Sequence, residues 1–115
     1  MHDKYEGQMK KGVLDMLVLK LLEDEEKYGY QIISELKEKS EERFTLKEGT
    51  LYPILYRLED EKLVESKWSE PEGKKVPRKY YGITKAGRQE LVDIEKLWRD
   101  IYRSAAKIME GEHHE

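Results

Sequence analysis

The chain has 115 residues, 37% of them hydrophobic and 41% charged, with a formal net charge of -3 and no cysteine. That length suits one domain with a modest core. The composition excludes a disulfide framework, thiol catalysis and thiolate zinc sites. No apolar run approaches the roughly 18 residues that span a bilayer, and the start Met1-His2-Asp3-Lys4 does not read as a secretion signal, so a cytoplasmic protein is expected.

Residues 1–9 are polar and are expected to fray. Residues 12–22 are nearly all apolar, rich in leucine and free of proline, which predicts a buried central helix. Residues 29–40 place Ile32, Ile33 and Leu36 on one face and Glu35, Lys37, Glu38 and Lys39 opposite, the pattern of an amphipathic helix. No strong stop signal follows it. A third helix should end near Glu61, with Leu51, Leu55 and Leu58 inward. Its start is open. A Thr45–Glu48 capping box would leave Pro53 past the first turn, whereas Thr50 as the cap would place Pro53 inside it.

An extended run begins at Leu63-Val64, with Val64, Ser66 and Trp68 on one side; Trp68 is expected to pack within the domain. Glu70-Pro71-Glu72-Gly73 favours a type I turn. Residues 79–83 return as the second strand of a hairpin, with one of Tyr80 and Tyr81 facing inward. Thr84 then caps a long helix to about Met109. Leu91, Ile94, Trp98, Ile101, Ala105 and Ile108 follow one another at spacings of three and four, a two-per-heptad seam. A helix of that length overhangs so small a core, which favours a dimer contact over an extra core helix. The tail from Gly111 is expected to be disordered, and His113 and His114 are at most a weak metal site. No cofactor or metal is expected.

Charge is distributed unevenly. Residues 1–65 carry 11 Lys/Arg against 16 Asp/Glu, residues 66–88 carry 7 against 2, and residues 89–115 carry 4 against 7. The basic segment is the hairpin: Lys67, Lys74, Lys75, Arg78 and Lys79. Helix, helix, helix, hairpin and long helix make a winged helix-turn-helix, mainly α with a small β-hairpin. The second helix of the middle pair would enter a DNA major groove, with the basic wing on the flanking backbone. The expected organisation is a DNA-binding domain over residues 1–83, a dimerisation helix over 84–110 and a tail over 111–115. An enzyme is not expected, because no phosphate-cradling glycine loop, Gly-x-Ser-x-Gly or His-Glu-x-x-His occurs.

Three strings then carry a resemblance. They are Tyr28-Gly29-Tyr30-Gln31-Ile32, Gly49 through Glu59 around Leu51-Tyr52-Pro53, and Arg78-Lys79-Tyr80-Tyr81-Gly82-Ile83-Thr84. In this order and spacing they closely resemble the PadR family of transcriptional regulators over about residues 8–109. The resemblance implies a homodimer through the C-terminal helix. It also implies repression of nearby genes, often relieved by a small aromatic or hydrophobic compound. The single C-terminal helix resembles a short subgroup of multidrug-sensing repressors, in which paired tryptophans stack on ligands at the dimer centre.

The candidate DNA contacts are Lys47, Thr50, Tyr52, Arg57, Lys74, Lys75, Arg78 and Lys79. Arg57 could meet a phosphate or a guanine edge, or pair with Glu61 one turn on. Tyr52 could bond a phosphate or pack against the wing. Trp98 could serve plain dimer packing or, as the resemblance implies, ligand stacking. Met9, Val13 and Met16 could be core or line the same space. The rival to a DNA-binding repressor is a winged-helix protein-interaction module that does not touch DNA; a third reading is a ligand sensor that regulates through a partner.

Overall fold

The computed structural model describes residues 3–111. Five helices and three short strands follow one another as α1 (Asp3–Lys11), α2 (Leu14–Leu21), β1 (Lys27–Tyr28), α3 (Gly29–Lys39), α4 (Glu48–Asp60), β2 (Val64–Trp68), β3 (Lys79–Ile83) and α5 (Lys85–Met109). The tail histidines His113 and His114 lie outside the described residues.

From Asp3 the start of the chain is a helix, where fraying is expected from the sequence; residues 1–2 lie outside the described residues. α1 buries no side chain, so packing does not hold it. Glu6 instead pairs with Lys10 one turn on at 2.9 Å and with Arg43 of the α3–α4 loop at 3.1 Å. Both cations hold the Glu6 carboxyl below the usual carboxylate range.

α2 is the axis of the core, as its apolar run predicts. Val18 and Leu19 are fully buried, and Met16 and Leu14 nearly so. Around them pack Ile32 and Leu36 of α3, Leu51, Ile54, Leu55 and Leu58 of α4, Val64 of β2, Tyr81 of β3 and Leu91 of α5. The amphipathic faces of α3 and α4 thus close on one apolar helix, the arrangement that best removes their stripes from water.

The bend between α3 and α4 explains the missing stop signal. Ser40 ends α3, and Glu41 follows with φ +53°. The Glu42 amide donates to the Lys37 carbonyl at 2.7 Å, and the Glu41 amide to the Glu38 carbonyl at 3.1 Å. This is a Schellman closure with glutamate where glycine is usual. α4 ends the same way at Lys62 (φ +63°), with the Leu63 amide on the Leu58 carbonyl and the Lys62 amide on Glu59, both at 2.9 Å.

Neither threonine caps α4. The helix starts at Glu48 behind Lys47, and the Thr45 hydroxyl donates to the Glu42 carbonyl at 3.1 Å instead. Pro53 therefore sits in the sixth helical position. The carbonyl it leaves without an intrahelical donor is that of Gly49, which is exposed and solvated.

The hairpin is larger than two strands. β1 adds to β3, giving the antiparallel order β1-β3-β2 with Lys27 opposite Tyr81 and Ser66 opposite Tyr81 on the other edge. Two residues carry little periodicity, which is why β1 is silent in the sequence. The tip also differs from the type I turn expected over residues 70–73. It closes between Glu72 and Lys75, with the Lys75 amide on the Glu72 carbonyl at 3.1 Å. Gly73 has φ +60° at the first central position, the left-handed geometry that matches the twist of two strands.

Lys27 joins these parts. It is 1% exposed, and its ammonium donates to the Leu21 carbonyl at the end of α2 and to Asp24 at 3.0 Å. Glu35 of α3 stands 3.5 Å away. Burial opposes the charge, but these carboxylates outweigh it and the net shift is upward. Thr84 caps α5 as expected: its Oγ1 accepts the Gly87 amide at 3.0 Å and donates to the Lys62 carbonyl at 2.8 Å. α5 then runs 25 residues, about 37 Å at helical rise, and gives the chain an extent of 70 Å along its longest axis.

Candidate nucleic-acid interface and the face of α5

Because Leu51, Ile54, Leu55 and Leu58 of α4 point into the core, helical geometry turns Lys47, Thr50, Pro53, Tyr56 and Arg57 outward. All five are exposed. The start of α4 therefore offers its free backbone amides and the Lys47 ammonium together, a combination that favours anions. The wing adds Lys74 and Lys75 at its exposed tip and Arg78 at the base of β3. Among the described residues, Lys47, Lys74, Lys75, Arg78 and Lys79 take part in no ion pair.

The other expected contacts have internal partners. Arg57 makes two bonds to Asp15 of α2, at 2.8 and 2.7 Å, rather than pairing with Glu61. That fork-to-fork bond raises the Arg57 pKa further and ties α4 to α2. Tyr52 is half-buried, and its ring and hydroxyl lie against Gly29 at the start of α3, so close that any side chain there would collide with the phenol. Burial, then the nearby Glu48, push the Tyr52 hydroxyl up. Lys67 pairs with Glu26 at 3.2 Å.

The two tyrosines of β3 divide as the alternation predicts. Tyr81 is fully buried, and burial pushes its hydroxyl up to about 12. Tyr80 meets Tyr28 edge-on at 5.4 Å, and the Arg78 guanidinium lies 4.4 Å from the Tyr28 ring centre. Trp68 does not pack within the domain: it is 66% exposed. β2 carries it past the part of α4 that covers Val64 and Ser66. Lys79 stands opposite Trp68 in the sheet, with its ammonium 5.6 Å from the ring centres of both Tyr56 and Tyr81. Neither Tyr56 nor Trp68 is among the expected DNA contacts: Tyr56 sits among the leucines of α4, and from the sequence Trp68 is expected to be buried.

The seam of α5 divides in two. Leu91 is 4% exposed and Ile94 packs on the same core. From Trp98 onward, Ile101, Tyr102, Ile108 and Met109 are open, as are Ala105 and, beside them, Leu97. Where the two halves meet, a concavity of about 270 Å³ is lined by Val13, Met16, Leu17, Lys20, Phe44, Leu91, Glu95 and Trp98. Three of the four residues expected to share a space are brought together. The fourth, Met9, borders a separate concavity with Tyr5, Lys10, Arg43 and Phe44. Trp98 is 41% exposed.

Comparison with known proteins agrees with this geometry. The Transcriptional regulator PadR-like family matches residues 18–93. The chain is 36% identical over 81 residues to the negative transcriptional regulator PadR of Bacillus subtilis (strain 168), covering 70% of this chain and 44% of that protein's length. A PadR family transcriptional regulator from Eggerthella lenta DSM 2243 superposes with a TM-score of 0.84 at 32% identity, over 96% of this chain and 93% of that one. A PadR-like transcriptional regulator from Bacillus cereus strain ATCC 14579 gives 0.76 at 32% identity, over 91% and 99%. That family consists of transcriptional regulators and not enzymes, and no helix among the described residues is long and apolar enough to cross a membrane. With a winged helix-turn-helix, a long C-terminal helix and this match over most of its length, the chain belongs to the PadR-like family of transcriptional regulators.

Proposed function

We propose that this chain is a homodimeric repressor that binds a pseudo-palindromic operator in the cytoplasm. The observation that carries the reading is the juxtaposition of an open α4 start with wing cations that no carboxylate of the described residues neutralises. In this reading α4 enters the major groove, with Lys47 and Thr50 leading, and Lys74, Lys75, Arg78 and Lys79 meet phosphates of the flanking backbone. Arg57 reaches DNA only by leaving Asp15, and Tyr52 only by leaving Gly29, so both serve first to hold α4 in place.

Residues 84–110 form the dimerisation helix, with residues 1–83 as the DNA-binding unit. The open apolar stretch from Trp98 to Ile108 supports a second copy there, while Leu91 and Ile94 contribute by fixing the helix to the core. Two-fold symmetry then sets half-sites about one helical turn apart, or a multiple of it. A small hydrophobic or aromatic effector at the concavity of Val13, Met16 and Trp98 would release DNA if it binds the DNA-free arrangement more tightly. Met9 joins such a site only if it moves toward it.

Fluorescence anisotropy tests the reading. Duplex DNA from upstream of the protein's own gene is compared with a scrambled duplex of equal length at two salt concentrations. Preference for the upstream duplex, weakening as salt rises, is the expected result. Absence of DNA binding there and in a genome-wide pull-down of bound fragments would overturn it in favour of a protein-interaction module.

A further inference from the structure

The two faces of the wing treat their charges differently. On the outer face, Lys67 is closed by Glu26 at 3.2 Å, and Arg78 lies over the Tyr28 ring. On the face toward α4, the residues sharing Trp68's side of β2 are Val64 and Ser66. Val64 is buried, and the Ser66 hydroxyl donates to Glu59 of α4 at 2.5 Å. α4 and β2 run in opposite senses around the Lys62 turn, so the last residue of β2 lies level with an earlier turn of α4. Trp68 is 66% exposed and Tyr56 of α4 is 51% exposed. Lys79, opposite Trp68 in the sheet, has its ammonium 5.6 Å from the Tyr56 ring centre and no carboxylate partner among the described residues.

We propose that Trp68, Tyr56 and Lys79 form a further DNA contact at the junction of α4 with the wing. Trp68 lies flat against a deoxyribose, and Lys79 meets the adjoining phosphate. The chemistry fits one occupant. An indole offers a broad apolar face at little cost in conformational freedom, a deoxyribose offers a smaller face of C–H groups that can rest on it, and a phosphate beside it answers an unneutralised ammonium. The Tyr56 ring holds that ammonium in place without cancelling its charge. The trio lies on α4, β2 and β3, the same elements that carry the proposed groove and wing contacts, so a backbone held by both would run beside it. This inference rests on the proposed DNA binding.

Trp68 and Trp98 are the two tryptophans of the chain, so the variant Trp98→Phe leaves Trp68 as the sole indole emitter. Its affinity for the upstream duplex serves as the reference. Adding that duplex should shield Trp68 from iodide and shift its emission. In the full chain, Trp68→Ala should weaken binding by about tenfold at every salt concentration and leave the salt slope unchanged. Trp68→Phe should recover most of the loss. Lys79→Ala should instead lower the slope by about 0.9, the mark of one lost phosphate. Circular dichroism checks that each variant is folded. If the native chain binds the duplex but Trp68→Ala binds equally well and iodide access is unaltered, the aromatic contact is refuted while the repressor reading stands. If Trp68 becomes shielded on raising protein concentration without DNA, it faces a second copy and the inference also falls. If the native chain binds no DNA at all, the repressor reading itself fails.

Discussion

The α4–wing face and the outer half of α5 are both left open, but in opposite chemical ways. The first presents ammonium and guanidinium groups that no carboxylate of the described residues neutralises. The second presents Trp98, Ile101, Tyr102 and Ile108, which none of the described residues covers. At other places a similar group is answered internally: Lys27 has Asp24 and Glu35, Arg57 has Asp15, and Leu91 has the core. The difference teaches that the two faces suit different partners, because each gathers several open groups of one kind. Unneutralised cations suit a polyanion, whereas an uncovered helical stripe suits another apolar surface.

The strongest way to sharpen the contrast is within α5 itself. Leu91→Ala should cost about 2–5 kcal/mol, because it empties a filled site in the core; thermal or urea unfolding reads it. Ile101→Asp with Ile108→Asp should instead leave the fold intact and convert a dimer to a monomer, measured by sedimentation. A dimer that survives that pair of changes would break the comparison on the apolar side. On the charged side, replacing Lys74, Lys75 and Arg78 with alanine should weaken binding to all DNA sequences alike and lower the salt slope by about 2–3. An unchanged slope would show that the wing is merely solvated. The smallest effect concerns the bend that places α4. Glu41→Gly should stabilise the chain by up to about 1 kcal/mol, since it relieves a left-handed backbone at a position glycine prefers. Chemical denaturation would detect it, and DNA affinity should be unaltered.

Much of this architecture was legible before any coordinates. A continuous apolar run marked α2, an amphipathic pattern marked α3, and leucine spacing marked the inward face of α4. Thr84 marked the start of α5, and the charge count marked the wing. Each depends on residues near one another in the chain. What stayed hidden depended on pairing over distance or on strain. The α1 helix is held by Glu6 and Arg43, 37 residues apart. β1 has only two residues and exists because β3 lies beside it. The closures of α3 and α4 use glutamate and lysine in a backbone form that a sequence reading assigns to glycine.

The candidate site divides along the same line. The sequence by itself determined that a basic hairpin follows a helical pair, and that a heptad seam continues past the core, because charge and periodicity are properties of a segment. Only the tertiary structure decided which of those groups remain open. Arg57 lay equally near Glu61 and solvent on a helical wheel, but the approach of α2 handed it to Asp15. Trp68 shares a face with buried Val64 and half-buried Ser66, but nothing among the described residues covers it and it stays 66% exposed. Exposure is a property of what else arrives at a place, and that is settled only when distant elements pack.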